Sequence, residues 1–180
     1  MDIFDCIRTG FPSEVQKQID SGVNLEKAND RGVTPIVEAF DAASLSGDTT
    51  ILRMLLKAGA SEKPLTDAVA RKLEDLSYTL VRDHNSTVKC INNATDTLEP
   101  RIGSLTHAER GRAKTFLESA KAYEEASSSL RNRLPDLRAR WSQQGEEILD
   151  EVVSYLRESM NFSMKGTWIR MESTVYEQDR

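Results

Sequence analysis

Between Ala113 and Trp141 the residues Ala113, Phe116, Ala120, Tyr123, Ser127, Leu130, Leu134, Leu137 and Trp141 follow one another at intervals of three and four without a slip. Only a helix brings that spacing onto one face, and a stripe of that length has to be covered by other helices. The same phase continues through Ile148 towards Val152 and Tyr155. A second stripe runs from Val69 through Leu73, Leu76, Leu80, His84, Val88 and Ile91 to Leu98. A helix of about 30 residues is about 45 Å long at about 1.5 Å per residue. The expected fold class is therefore all-α, with a long antiparallel helical bundle or coiled coil over residues 64–160.

The breaks divide this region. Asn92-Asn93, Pro100 and Gly103 are expected to end the first long helix, which spans roughly residues 65–95. Thr106 and Glu109 have the form of a capping box, a hydroxyl and a carboxylate each serving an unpaired amide, so a second helix is expected over roughly residues 107–134. Pro135 governs the path of the chain beyond that point. A proline inside a helix costs about 3 kcal/mol, which favours a break and a third helix over roughly residues 136–160, against a single kinked helix in unchanged phase. With a break, three strokes fold up and down within one chain; with a kink, the rod needs a second chain, which leaves homo-oligomerisation open. After Met160 the helical pattern fails, because Gly166 interrupts it and Thr167-Trp168-Ile169-Arg170-Met171 is rich in strand formers on no clear face. Residues 161–180 read as a tail. This stretch is either a partly ordered chain end, or its large apolar groups Phe162, Trp168 and Ile169 are anchors that dock on the bundle near Trp141 or on another subunit, with Trp168 the candidate partner contact.

Charge and cysteine usage narrow the function classes. Twenty-four Lys and Arg against 29 Asp and Glu give the 180-residue chain a formal charge of −5, which argues against nucleic-acid binding by the whole chain. No apolar run approaches the roughly 20 residues that span a bilayer, and Met1-Asp2-Ile3-Phe4-Asp5 has neither the basic end nor the apolar core of a signal peptide. No membrane association is expected, and the compartment is read as cytoplasm or nucleus. Cys6 and Cys90 stand far apart with two histidines in the whole chain, which fits neither a zinc spacing nor a disulfide framework, so no metal or cofactor is expected. The sequons at Asn85, Asn93 and Asn161 then read as accidental. Arg131, Arg133, Arg138 and Arg140 crowd beside Trp141 with Asp136 among them and Glu146, Glu147, Asp150 and Glu151 following. They form either a solvated face of paired charges or a site for an acidic partner, with Arg138 and Trp141 as contacts.

The first third is written differently. Gly22-Val23-Asn24-Leu25-Glu26-Lys27-Ala28-Asn29-Asp30-Arg31-Gly32-Val33-Thr34-Pro35-Ile36-Val37-Glu38-Ala39 has a glycine to end a helix, a polar stretch turning at Gly32, Thr34 in position to cap and Pro35 at a first helical turn. Ile51-Leu52-Arg53-Met54-Leu55-Leu56-Lys57-Ala58-Gly59-Ala60 closes the segment, and Ile3-Phe4-Asp5-Cys6-Ile7-Arg8-Thr9-Gly10 with Glu14, Val15 and Ile19 opens it. These motifs resemble an amino-terminal ankyrin repeat followed by one full repeat. Asn24 stands for the family Asp, Asn29 for the Asp of the finger, Ile36 and Val37 for Leu-His, and four residues are in excess between Thr34 and Gly47, as an added helical turn or a short loop.

The resemblance implies an ankyrin module over residues 1–63 that presents its finger and inner helix to another protein. Carried over by position, the contacts are Asp30, Arg31 and Val33 of the finger and Asp41 near the end of the inner helix; Glu38 is added by position alone. Two repeats do not bury their own faces, since about three are needed for an independent solenoid. The segment from Leu65 to Leu80 is the adjacent candidate for a cap. Arg101 and His107 faintly resemble the Arg-x(4 to 6)-His pair of the helical ribonucleases called HEPN, but Ile102 stands where that family has a polar residue. The function expected is a non-enzymatic adaptor or complex subunit whose partner is another protein, engaged through an acidic or helical segment. The alternatives are a single-client inhibitor or chaperone-like binder, and the ribonuclease.

Overall fold

The structure, a computed structural model, describes residues 1–177, and every regular element among them is a helix. Four short helices, α1 (Ile3–Thr9), α2 (Pro12–Asp20), α3 (Pro35–Ser46) and α4 (Thr50–Lys57), precede three long ones, α5 (Glu62–Leu98), α6 (His107–Gln144) and α7 (Leu149–Glu177). The chain divides into two compact units. The first takes Met1–Glu74 and Leu137–Arg157; the second takes Asp75–Asp136 and the chain from Glu158 on.

In the first unit, the sides of α1, α3 and α4 that carry Ile7, Ile36, Phe40, Leu52 and Leu55 are buried. The cover comes from two places. Leu65, Val69 and Leu73 of α5 are buried, and Lys72 beside them pairs with Asp41 of α3 and lies 4.9 Å from the Phe40 ring centroid. The Glu26 carboxylate accepts the Ser61 amide at 2.7 Å, placing an anion at the start of α5 where unpaired N–H groups favour one. The second cover is the stretch of α6 and α7 bearing Leu137, Trp141, Val152 and Tyr155, all buried. Asp150 there accepts from Thr49 at 2.6 Å and Arg53 at 2.7 Å, and these two bonds hold its carboxyl below the usual carboxylate range. The residues between Thr34 and Gly47 form one continuous helix, α3, of 12 residues, with no loop inside it.

The second unit is built from the remaining lengths of the three long helices. The α6 seam is buried as its spacing requires, and Ile91, Ala94 and Leu98 of α5 are buried with it. Asn92-Asn93 does not end α5, because the apolar register continues past it; the helix stops at Leu98, and Pro100 sits in the adjoining 3-10 turn Glu99–Arg101. The capping box forms: Glu109 accepts the Thr106 amide at 2.8 Å, and Thr106 Oγ1 accepts the Glu109 amide at 3.3 Å. The α5 stripe passes through Thr87, with no exposed surface, rather than Val88.

Two further expectations are corrected. Pro135 neither ends α6 nor starts a third helix at 136: α6 runs unbroken to Gln144, and the chain turns at Gly145, whose φ of 55° is left-handed. Pro135 is exposed while Leu134 and Leu137 beside it are buried, so the ring removes one backbone bond on the solvent side and the seam carries through. Nor do residues 161–177 form a tail outside the helices: α7 extends from Leu149 to Glu177, and residues 178–180 of the expected tail lie outside the described residues.

Gly166 supports α7 rather than interrupting it. A Cβ there would stand 2.9 Å from the Tyr123 ring and its hydroxyl. That ring is stacked on Phe162 with centroids 4.4 Å apart, and Tyr123 has no exposed surface, so it has nowhere to move. Gly166→Ala is accordingly expected to destabilise the protein by about 1–3 kcal/mol, the usual effect of overpacking. Gly111→Ala in α6, where the new methyl meets nothing within 4 Å, is expected to stabilise by about 0.5–1 kcal/mol, as helix propensity dictates. Urea unfolding of the two variants should move in opposite directions; a neutral or stabilising Gly166→Ala would refute the close approach of α7 to Tyr123.

Candidate recognition surface

The loop before α3 is held by its own backbone and one side chain. The Asn29 amide donates to the Val33 carbonyl and the Gly32 amide to the Asn29 carbonyl, both at 2.9 Å. Asn29 Oδ1 accepts the amides of Arg31 at 2.9 Å and Val33 at 3.1 Å. Gly32 closes the turn at φ 75°, a region a Cβ would penalise. Thr34 occupies the N-cap position of α3, but its hydroxyl does not cap: the Thr34 carbonyl already accepts the Val37 and Glu38 amides at 3.1 Å each. The Oγ1 atom is left buried without a hydrogen-bond partner.

This loop and the first turns of α5 enclose a groove of about 490 Å³. Arg31, Val33, Thr34 and Val37 form one side, and Lys63, Pro64, Asp67 and Arg71 the other. Three cations and one anion line it in a chain of net charge −5, so the local sign is opposite to that of the whole. Arg31 and Val33, both anticipated from the sequence, meet here. Lys63, Asp67 and Arg71 were missed, although their spacing of four places them on one helix face.

The other anticipated residues scatter. Asp30 is exposed but turns to a different depression, beside Asp2, Gln18 and Lys27. Asp41 is exposed and engaged with Lys72. Glu38 is 8% exposed and serves as an internal tie: Arg31 reaches one of its oxygens at 3.0 Å and Arg8 the other at 3.3 Å. It orients Arg31 at the groove and is not itself offered to a partner. Trp141 is 4% exposed and buried in the first unit, whereas Arg138, three residues earlier, is exposed; the two do not form one surface. Arg133 pairs with Glu158 at 2.8 Å, and Arg140 grips Glu151 through two bonds of 2.8 and 2.7 Å, so much of the arginine cluster is a face of paired charges. Trp168 is 44% exposed, while Phe162 and Ile169 are buried in the second unit.

A nucleophile-and-base pair also exists by distance alone, since Ser127 Oγ lies 2.9 Å from His84 Nδ1. Ser127 has no exposed surface, so no substrate atom reaches it. The pair belongs to a polar layer in the second unit. There Tyr123 donates to the Asp83 carbonyl at 3.3 Å, Ser163 to the Asp83 carboxylate at 3.2 Å, and Arg170 to Thr87 at 2.7 Å. Arg101 lines a cavity of about 110 Å³ with Glu109, Arg112 and Tyr176, and His107 is an exposed first residue of α6 outside that lining. Among the described residues no group of three His, Cys, Asp or Glu could hold a metal ion, and no helix is long and apolar enough to cross a membrane.

Burial first, then the nearby Arg131 charge, depress the basicity of His84 below its ordinary 6.5, with Glu124 opposing. The folded protein thus disfavours protonated His84 more than the unfolded chain does. The stability it contributes is complete above about pH 6.5 and falls as pH drops towards the lower folded value. The urea midpoint is expected to decline between pH 7 and pH 5 in the native chain and to decline less in His84→Gln. An identical decline in both would place the titration elsewhere. The chain matches no protein-family model, no curated protein and no solved structure, so the groove and its charges carry the functional reading.

Proposed function

We propose that the protein is a non-enzymatic adaptor whose first unit holds an acidic segment of another protein in the groove between the finger and α5. The observation that carries this is the convergence of Arg31, Lys63 and Arg71 on one groove in an acidic chain. Arginine forks and a lysine around a concave surface favour carboxylates, and Val33, Val37 and Pro64 supply apolar contact beside them. The family resemblance of residues 22–60 supports the same reading, because ankyrin modules recognise proteins through the finger and inner helix. The second unit gives the adaptor its other attachment. Free thiols at Cys6 and Cys90 fit a reducing compartment, cytoplasm or nucleus.

Affinity capture with the intact chain, followed by the same capture with Arg31→Glu/Arg71→Glu, tests this. Each reversal replaces attraction by repulsion, and about 1.4 kcal/mol is tenfold in affinity, so at least a tenfold loss is expected, with binding by the native chain weakening as salt rises. Arg71→Glu alone should leave the melting temperature near that of the native chain, since that side chain is exposed, and should still weaken binding; Arg31→Glu also sets a carboxylate beside the buried Glu38 and is expected to lower the melting temperature. A partner held equally by both proteins would remove the groove from the reading.

A further inference from the structure

Helix α7 is apolar on two opposite faces. Phe162, Gly166, Ile169 and Ser173 form the buried face. Met164, Trp168, Met171 and Val175 form another stripe, exposed by 59%, 44%, 67% and 55%. At about 100° per residue these four fall within an arc of about 60°, and their intervals of four, three and four are those of a helix-pairing seam. Exposed large apolar groups scattered singly need no explanation, but four in register along one face mark a contact surface.

We infer that this stripe pairs with the α7 of a second copy of the chain, antiparallel across a two-fold axis. The pattern is its own complement in that arrangement. Met164 meets Val175 of the second copy, Trp168 meets Met171, and the axis repeats both contacts. The charges agree as well: Lys165 and Glu172 flank the stripe on the same side, and the rotation that aligns the apolar layers sets each Lys165 opposite the other copy's Glu172. In a parallel pair these two residues do not meet, and the residues flanking the other side, Thr167 and Thr174, carry no charge. One lysine and one glutamate do not make the cationic rim of a membrane-surface helix. Beside Trp168, the residues Ala108, Gly111 and Thr115 of α6 leave a groove of about 440 Å³, room for a large side chain from the second copy. The stripe extends over only about three helical turns, below the area of a permanent dimer, so the association is a weak one.

The inference stands apart from the acidic-segment groove, which lies in the first unit. Sedimentation equilibrium of the full chain from low micromolar to several hundred micromolar tests it. The average mass is expected to rise from 20.2 kDa towards twice that value. Trp168→Ala and Met171→Lys should stay monomeric throughout with an unchanged melting temperature. Lys165→Glu alone and Glu172→Lys alone should each weaken dimerisation several-fold, and the two together should restore it. A native chain that stays monomeric, including one that instead binds lipid vesicles or a foreign helix through the stripe, overturns the inference. So does a dimer indifferent to Trp168→Ala, and a double exchange that fails to restore association overturns the antiparallel register.

Discussion

The burial of one uninterrupted stripe on α6 is the constraint on which both units depend. From Ala113 to Trp141 every seam position is buried, and the helix crosses Pro135 without leaving phase. The penalty of an internal proline is about 3 kcal/mol. Burying a single large apolar side chain contributes about 1.5–3 kcal/mol, and Leu130, Leu134, Leu137 and Trp141 surround Pro135 on the covered face. Breaking the helix there would have moved the later members of the seam out of register. A lost backbone bond on the exposed side is the smaller cost.

The first unit shows how a short stack of helices acquires a complete core. Its four short helices cannot bury their own faces, and the cover is recruited from residues 62–74 and 137–157, far apart in sequence. Recruiting α5 also makes the groove. The loop before α3 is ordered locally by Asn29, but the wall facing it belongs to the covering helix α5, so Arg31 meets Lys63 and Arg71 because α5 docks where it does. Glu38 completes the arrangement from inside by holding Arg31 and Arg8 together.

The second unit depends on a different economy of space. Small residues let α7 approach α6: Gly166 lies against the Tyr123 ring, which is itself stacked on Phe162. A polar layer of Asp83, His84, Thr87, Ser127, Ser163 and Arg170 runs through the same level and satisfies its members by mutual hydrogen bonds. Such a layer adds little net stability but penalises a slipped register, because a shift would leave buried groups unpaired.

The all-helical class, the α6 seam and the capping box at Thr106 were legible in the sequence. Each rests on short-range periodicity or on residues three to four apart, which the chain carries wherever it folds. The fate of Pro135 was not legible, because the penalty is local and the burial that outweighs it is not. The helicity of residues 161–177 was hidden for a related reason: apolar residues on two opposite faces of α7 cancel the one-sided pattern by which a helix is recognised, and Gly166 reads as a breaker until Tyr123 is found against it. Of the contact residues anticipated by position, Arg31 and Val33 share the groove, whereas Glu38 and Trp141 are buried. A position in a repeat pattern states which way a residue points from its own helix. Whether something else lies there is decided by long-range packing, and only the tertiary structure contains it.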